Sequence, residues 1–170
     1  GGILAVGLGL GLSAQQMLDF YRNRGPIIFP MTRMQHRFGR RLKHFIMPKF
    51  SQKVLLKELR SAFRFHQLAR PTLRDSKCRL VIPAYHARSG RSHQFRTPHH
   101  LNLVSDANTE AADVALATSA APTFFRSAKI ENLIAGSHYF DGGVWANSPV
   151  MAAIVEATCF LNVPLERIEV

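Results

Sequence analysis

Cysteine is scarce in this chain, with only Cys78 and Cys159 among 170 residues. Two thiols are too few for a disulfide framework. Both stand in apolar runs, which predicts buried, reduced side chains and a cytosolic, reducing compartment. Long apolar runs are also lacking. No segment reaches the roughly 18 to 20 unbroken apolar residues of a membrane span. The opening GGILAVGLGLGL has the texture of a signal-peptide core, but without a basic leader or a small-residue cleavage site it reads as part of the fold. Acid is scarce through the middle of the chain. Between Arg22 and His100 there are 19 Lys and Arg against two acids, Glu58 and Asp75. The whole chain carries a formal charge of +11, so this stretch alone exceeds that total. Such a block calls for an anionic partner, a phospholipid surface or a nucleic acid. The aromatic and glycine interleaving of RNA-binding segments is missing, as is a helix-turn-helix pattern, which weighs against nucleic acid.

What is present suits one folded domain: 46% hydrophobic and 19% charged residues can enclose a core. Gly2 to Leu10 is small and apolar on all sides, as for a buried helix against a sheet. Ser13 with Gln16 forms a capping box for a second helix, whose apolar face is Met17, Leu18 and Tyr21 and whose end is set by Gly25 and Pro26. Pro26 to Pro48 reads as a basic surface insertion within the basic middle, 22–100. Lys49 to Phe65 returns to helical spacing, with Lys53, Lys57, Arg60 and Arg64 away from its apolar side. Glu58 offers these bases few intrahelical partners, so they read as a solvated face or as a surface for an external anion. CRLVIPAYHA, Cys78 to Ala87, reads as a strand, Ser89-Gly90 as a turn and HQFRTP as its antiparallel partner. Thr109 to Ser119 reads as an alanine-rich helix. Ser137 to Phe140 is a short strand leading into Asp141. Ser148 and Pro149 open a last helix, and RIEV begins a further strand. Alternating strands and helices predict an α/β fold with a mainly parallel sheet, whose ligands gather at strand ends.

Asp141 is the residue that invites chemistry. It follows a strand directly, stands before two glycines in YFDGGVWANSPV, and has no other acid within nine residues on either side. An Asp-Gly pair also occurs wherever a turn bonds its own backbone. Asn147 either braces this loop or bonds within a turn of its own. Ser119 reads as a helix-end residue, because no Gly-x-Ser-x-Gly elbow surrounds it. His93, His99 and His100 lack a Cys or acid at ligand spacing, so neither a metal nor another cofactor is expected. Gly7-x-Gly9-x-Gly11 has no preceding strand and fails as a nucleotide loop.

Four stretches together resemble the patatin-like phospholipases: GGILAV at Gly1; DVALATSAAPTFF from Asp113 to Phe125; YFDGGVWANSP; and RLVIPAYHA followed by FRTPHH, Phe95 to His100. The last pair most resembles the bacterial branch that includes cyclic-nucleotide-activated phospholipases of anti-phage defence. The resemblance implies a three-layer fold, a mainly parallel sheet flanked by helices, here incomplete at both ends. It implies a lipid acyl hydrolase working through a Ser–Asp dyad, with Asp141 the proton acceptor and Gly142 and Gly143 its motif glycines. Gly1 matches the closing glycine of the Gly-x-Ser-x-Gly elbow, so the nucleophile is expected two residues before Gly1. The chain would then be an internal piece, inactive alone and without its oxyanion donors. A carboxylate acting directly on serine needs partial desolvation, for which Phe140 and Trp145 are the expected surroundings. The implied partners are a phospholipid membrane at its inner face and a cyclic-nucleotide activator. The competing reading is a basic α/β module that binds nucleic acid or cyclic nucleotide without catalysis.

Overall fold

The computed structural model describes residues 1–30, 48–64, 69–131 and 137–170. Its sheet grows from a hairpin. β1 (Val81–His86) turns through four residues into β2 (Arg91–Arg96), with Gly90 taking the positive φ of 65° that the turn requires. β3 (Ala128–Ile130) and β4 (Ser137–Asp141) pair in the same antiparallel sense, and β4 lies beside β1. The order is β2-β1-β4-β3. The expected α/β class holds, but the mainly parallel sheet does not: every pairing described is antiparallel. For β1–β2 and β3–β4 the cause is the short links. Parallel neighbours need a crossover of about a dozen residues or more, and neither β1–β2 nor β3–β4 has one.

The helices are α1 (Gly2–Gly9), α2 (Ala14–Ile28), α3 (Gln52–Ala62), α4 (Ala111–Thr118) and α5 (Val150–Cys159). α4 is central. Its alanines allow close approach, and it packs across β1, β3 and β4 while α1 and α3 pack against it. The core joins Val6, Met17, Phe20, Leu55, Leu59, Phe63, Ile82, Phe95, Val114 and Tyr139.

Several details differ from the sequence expectations. α1 does pack on α4 and β1, but Leu4 and Leu8 on its outer side are exposed. The Ser13–Gln16 capping box is present. α2 buries Met17 and Phe20, leaving Leu18 and Tyr21 outside, because one residue of helix turns the side chain by about 100°. Gly25 and Pro26 do not end α2. The helix runs on to Ile28, whose burial in the core favours the extra turn. α5 starts one residue later than expected, with Pro149 at the cap position and no side-chain cap. RIEV is no strand: Leu165–Arg167 is a 3-10 turn, followed by extended chain without a ladder partner among the described residues. Cys78 and Cys159 are exposed, not buried: one lies in the loop before β1, the other at the end of α5. Of the expected insertion, residues 31–47 lie outside the described residues. The described remainder of the basic middle includes the end of α2, α3, β1 and β2.

Part of its charge is matched inside the molecule, at Arg24, Arg60, Arg70 and Arg96. Arg60 grips Glu110 through two bonds of 2.7 and 2.8 Å and reaches Asp113 at 3.5 Å. Arg24 meets Glu58 at 3.2 Å. Lys53 and Lys57 remain exposed on the outer side of α3.

Candidate active site

Asp141 is the last residue of β4 and the cap of the 3-10 turn Gly142–Val144. Its backbone N–H donates to the Ala120 carbonyl at 3.1 Å, which ties it to the end of α4. Its Oδ1 accepts the Gly143 N–H at 2.7 Å. That bond fixes the direction of the carboxylate. Gly142 is required by contact: a Cβ there would collide with the carbonyl group of Pro83 in β1. The missing side chain lets the turn lie flat on the sheet.

Asp141 opens onto a cavity of about 410 Å³. Gly1, Gly2 and Ile3 at the start of α1 form part of its wall, with Pro83, Thr118, Ser119, Gly143, Asn147 and Tyr21 around the remainder. The cavity thus brings together Asp141, Gly143, Gly1 and Asn147, four positions singled out in the sequence and far apart along it. Helix starts present backbone N–H groups without intrahelical partners and a partial positive charge. The site therefore sets a carboxylate and a helix N-terminus against one space.

Thr118 holds these parts in place. Its Oγ1 donates to the Pro83 carbonyl at 2.8 Å, and Gly2 is packed so closely on its side chain that a Cβ would clash. Neither Thr118 nor Tyr21 was singled out by sequence reasoning as part of the site. In the sequence Tyr21 belongs to the apolar stripe of α2, and nothing in its local pattern marks it as a cavity residue. Burial raises the Tyr21 phenol above its ordinary range, leaving it a neutral hydrogen-bonding group at the wall.

Two expected surroundings of Asp141 are elsewhere. Neither Phe140 nor Trp145 lines the cavity. Phe140 precedes Asp141 on a strand and so points to the opposite face. Trp145 donates its indole N–H to the Ala84 carbonyl at 2.8 Å, pinning the loop to β1. The apolar wall comes instead from Ile3, Ala5, Val81, Ile82 and Pro83. Asn147 stands in that wall, its Oδ1 3.7 Å from the position a Gly143 Cβ would take. Ser119 caps the end of α4, and its hydroxyl donates back to the Ala115 carbonyl at 2.6 Å.

The histidines hold structure. His99 joins Thr97 Oγ1 at 2.9 Å and Glu156 of α5 at 3.0 Å, and Arg96 meets the same carboxylate at 2.8 Å. His93 lies 3.5 Å from Asp106 and edge-on to Phe95. His100 packs on Phe160. Among the described residues no three His, Cys, Asp or Glu side chains gather as metal ligands. No helix among them is long and apolar enough to cross a membrane.

Comparison with known proteins places this geometry. Residues 1–154 match the family model of the patatin-like phospholipases. The chain is 36% identical over 159 residues to a cGAMP-activated phospholipase of Vibrio cholerae, covering 92% of this chain and 43% of that protein. It is 32% identical over 161 residues to a cGAMP-activated phospholipase of Pseudomonas aeruginosa, covering 95% and 45%. It is 31% identical over 160 residues to patatin-like protein 2 of Arabidopsis thaliana, covering 86% and 36%. The chain thus spans less than half the length of these relatives. With a family match over most of its residues and a cavity built from the expected stretches, this chain belongs to the patatin-like phospholipase family.

Proposed function

We propose that this chain carries the aspartate half of a Ser–Asp dyad in a lipid acyl hydrolase that cleaves ester bonds of membrane glycerophospholipids. One observation carries the reading: Asp141 and Gly1 share a single cavity. A serine two residues ahead of Gly1 would stand at that cavity, in the sharp strand-to-helix turn that exposes such nucleophiles. Asp141 Oδ1 is engaged by the Gly143 N–H, which leaves Oδ2 to take the serine proton as the hydroxyl attacks the ester carbon. The donors for the tetrahedral oxyanion are assigned to chain ahead of Gly1, and the first N–H groups of α1 add positive potential to the same cavity. The apolar wall of Ile3, Ile82 and Pro83 suits an acyl chain.

The bacterial relatives are named cGAMP-activated phospholipases. On that likeness we assign a cyclic-nucleotide activator to the full-length protein; a role in anti-phage defence and action at the inner face of the membrane rest on the motif resemblance alone. The basic module without catalysis is the weaker reading, because Arg24, Arg60 and Arg96 are already matched by carboxylates within the fold.

Labelling tests the nucleophile. The full-length protein, treated with a fluorophosphonate and digested, is expected to carry the label on a serine two residues ahead of Gly1. Label on Ser119, or none on a protein that hydrolyses phospholipid, would overturn the assignment.

A further inference from the structure

The surface beside the cavity carries features that the hydrolase reading does not use. Along α2 and its C-cap residue, Leu18, Tyr21, Gly25 and Phe29 succeed one another at intervals of three, four and four residues, a spacing that sets them on one stripe. Leu18, Tyr21 and Phe29 are 42%, 39% and 40% exposed. Nothing lies within 4 Å of where a Gly25 Cβ would stand, so the stripe is open between them. It begins at the cavity, whose wall includes Tyr21. It ends in an aromatic cluster: the Phe29 ring stands edge-on to Phe50 at 5.0 Å, and Phe50 stacks on Phe124 at 6.2 Å.

A cation is fixed over these rings. Lys49 Nζ lies 5.2 Å from the Phe50 ring centre and 5.6 Å from that of Phe124. The backbone holds it there, with Lys49 N–H donating to the Thr123 carbonyl and Phe50 N–H to the Phe124 carbonyl, at 3.1 and 2.9 Å. Phe124 itself is 46% exposed. Exposed Lys53 follows on the first turn of α3. Half-exposed rings under an ammonium group suit the boundary of a bilayer, where rings sit among headgroups and lysine reaches phosphate. A polyanion alone would call for the bases but not for an apolar stripe leading to a cavity.

From this continuity and charge we infer that the α2 stripe, the Phe29–Phe50–Phe124 cluster and Lys49 form the face that docks on an anionic phospholipid bilayer. The face adjoins the cavity at Tyr21, one of its lining residues. Its use in catalysis rests on the hydrolase reading; its binding to vesicles does not.

The test uses the full-length protein with vesicles of phosphatidylcholine, with and without phosphatidylglycerol. Sedimentation of the unsubstituted protein is expected with the anionic vesicles. Lys49→Glu is expected to lower the partition coefficient about tenfold, and Phe124→Ser to lower it as well. Hydrolysis of a soluble short-chain ester stays unchanged in both variants, while hydrolysis of vesicle lipid falls. Phe124→Trp gives a second readout: emission above that of the unsubstituted protein, quenched by vesicles with brominated acyl chains. Unchanged sedimentation in both Lys49→Glu and Phe124→Ser overturns the proposal, as does an unquenched added emission. A fall in oligomer size with unaltered vesicle binding assigns the face to a second copy and also overturns it. Vesicle binding that these variants weaken, in a protein that hydrolyses neither ester, supports the docking face and removes the hydrolase reading.

Discussion

Ala84 and Asp141 are register partners across the β1–β4 ladder, and the Ala84 carbonyl also receives the indole N–H of Trp145 at 2.8 Å. One small residue of β1 therefore fixes both ends of the Asp-Gly-Gly turn. The carboxylate leaves the sheet at the Ala84 position, and four residues later the chain is fastened to the same place. Between them Gly142 rests on Pro83. The direction of the Asp141 side chain is thus set by backbone contacts, and the Pro83 contact accounts for the glycine that follows it.

Gly142→Ala should damage fold and site together. The added methyl group meets the rigid backbone of Pro83, so strand and turn must part. A loss of about 1 to 3 kcal/mol is expected in urea unfolding, as for other overpacked positions. Gly25→Ala, where the space is open, should not destabilise the protein. Equal stability of the two variants would contradict the packing described.

Glu156 should be costly to remove. It is buried on α5 and takes both Arg96 and His99, whose side chain is itself almost fully enclosed. Glu156→Ala strands two donors and should cost about 3 to 5 kcal/mol. Glu156→Gln keeps an acceptor for His99 and should cost less. Unfolding midpoints of the two variants at equal slope decide the ordering.

Asp113 gives stability a pH dependence of known sign. Burial first, and then the charge of Glu110, push its carboxyl up to about 6, against the opposing pull of Arg60 and Arg70. The fold therefore binds this proton more tightly than the unfolded chain does. The resulting stabilisation is complete below the ordinary value of 3.8 and is lost as pH rises through about 6. Its size is on the order of 2 to 3 kcal/mol. Asp113→Asn should remove that slope, so the variant gains on the unsubstituted protein near neutral pH but not in acid. Urea unfolding across this range tests it; parallel profiles for the two proteins would contradict the assignment.

Local signals in the sequence were read well where the chain supplies its own geometry. The Ser13–Gln16 box, the Ser89-Gly90 turn and the strand entering Asp141 each follow from adjacent residues. Sheet sense is not legible in the sequence, because alternating strands and helices suggest crossovers while the hairpin depends on a link as short as the turn after His86. Burial was misread at Leu18, Tyr21, Cys78 and Cys159, where apolar character alone does not tell which face meets the core. Asp141 stood out through its isolation and its glycines. Thr118 and Tyr21 did not, because only the meeting of α1, α2 and α4 around one cavity gives them a role.

The central claim is that Asp141 accepts the proton of a serine nucleophile. Asp141→Asn in the full-length protein keeps an oxygen for the Gly143 N–H but removes the basic oxygen. Turnover of a phospholipid ester should fall at least about a hundredfold, the scale of general-base catalysis, with the unfolding midpoint little changed. Near-normal turnover in a folded Asp141→Asn protein would contradict the account.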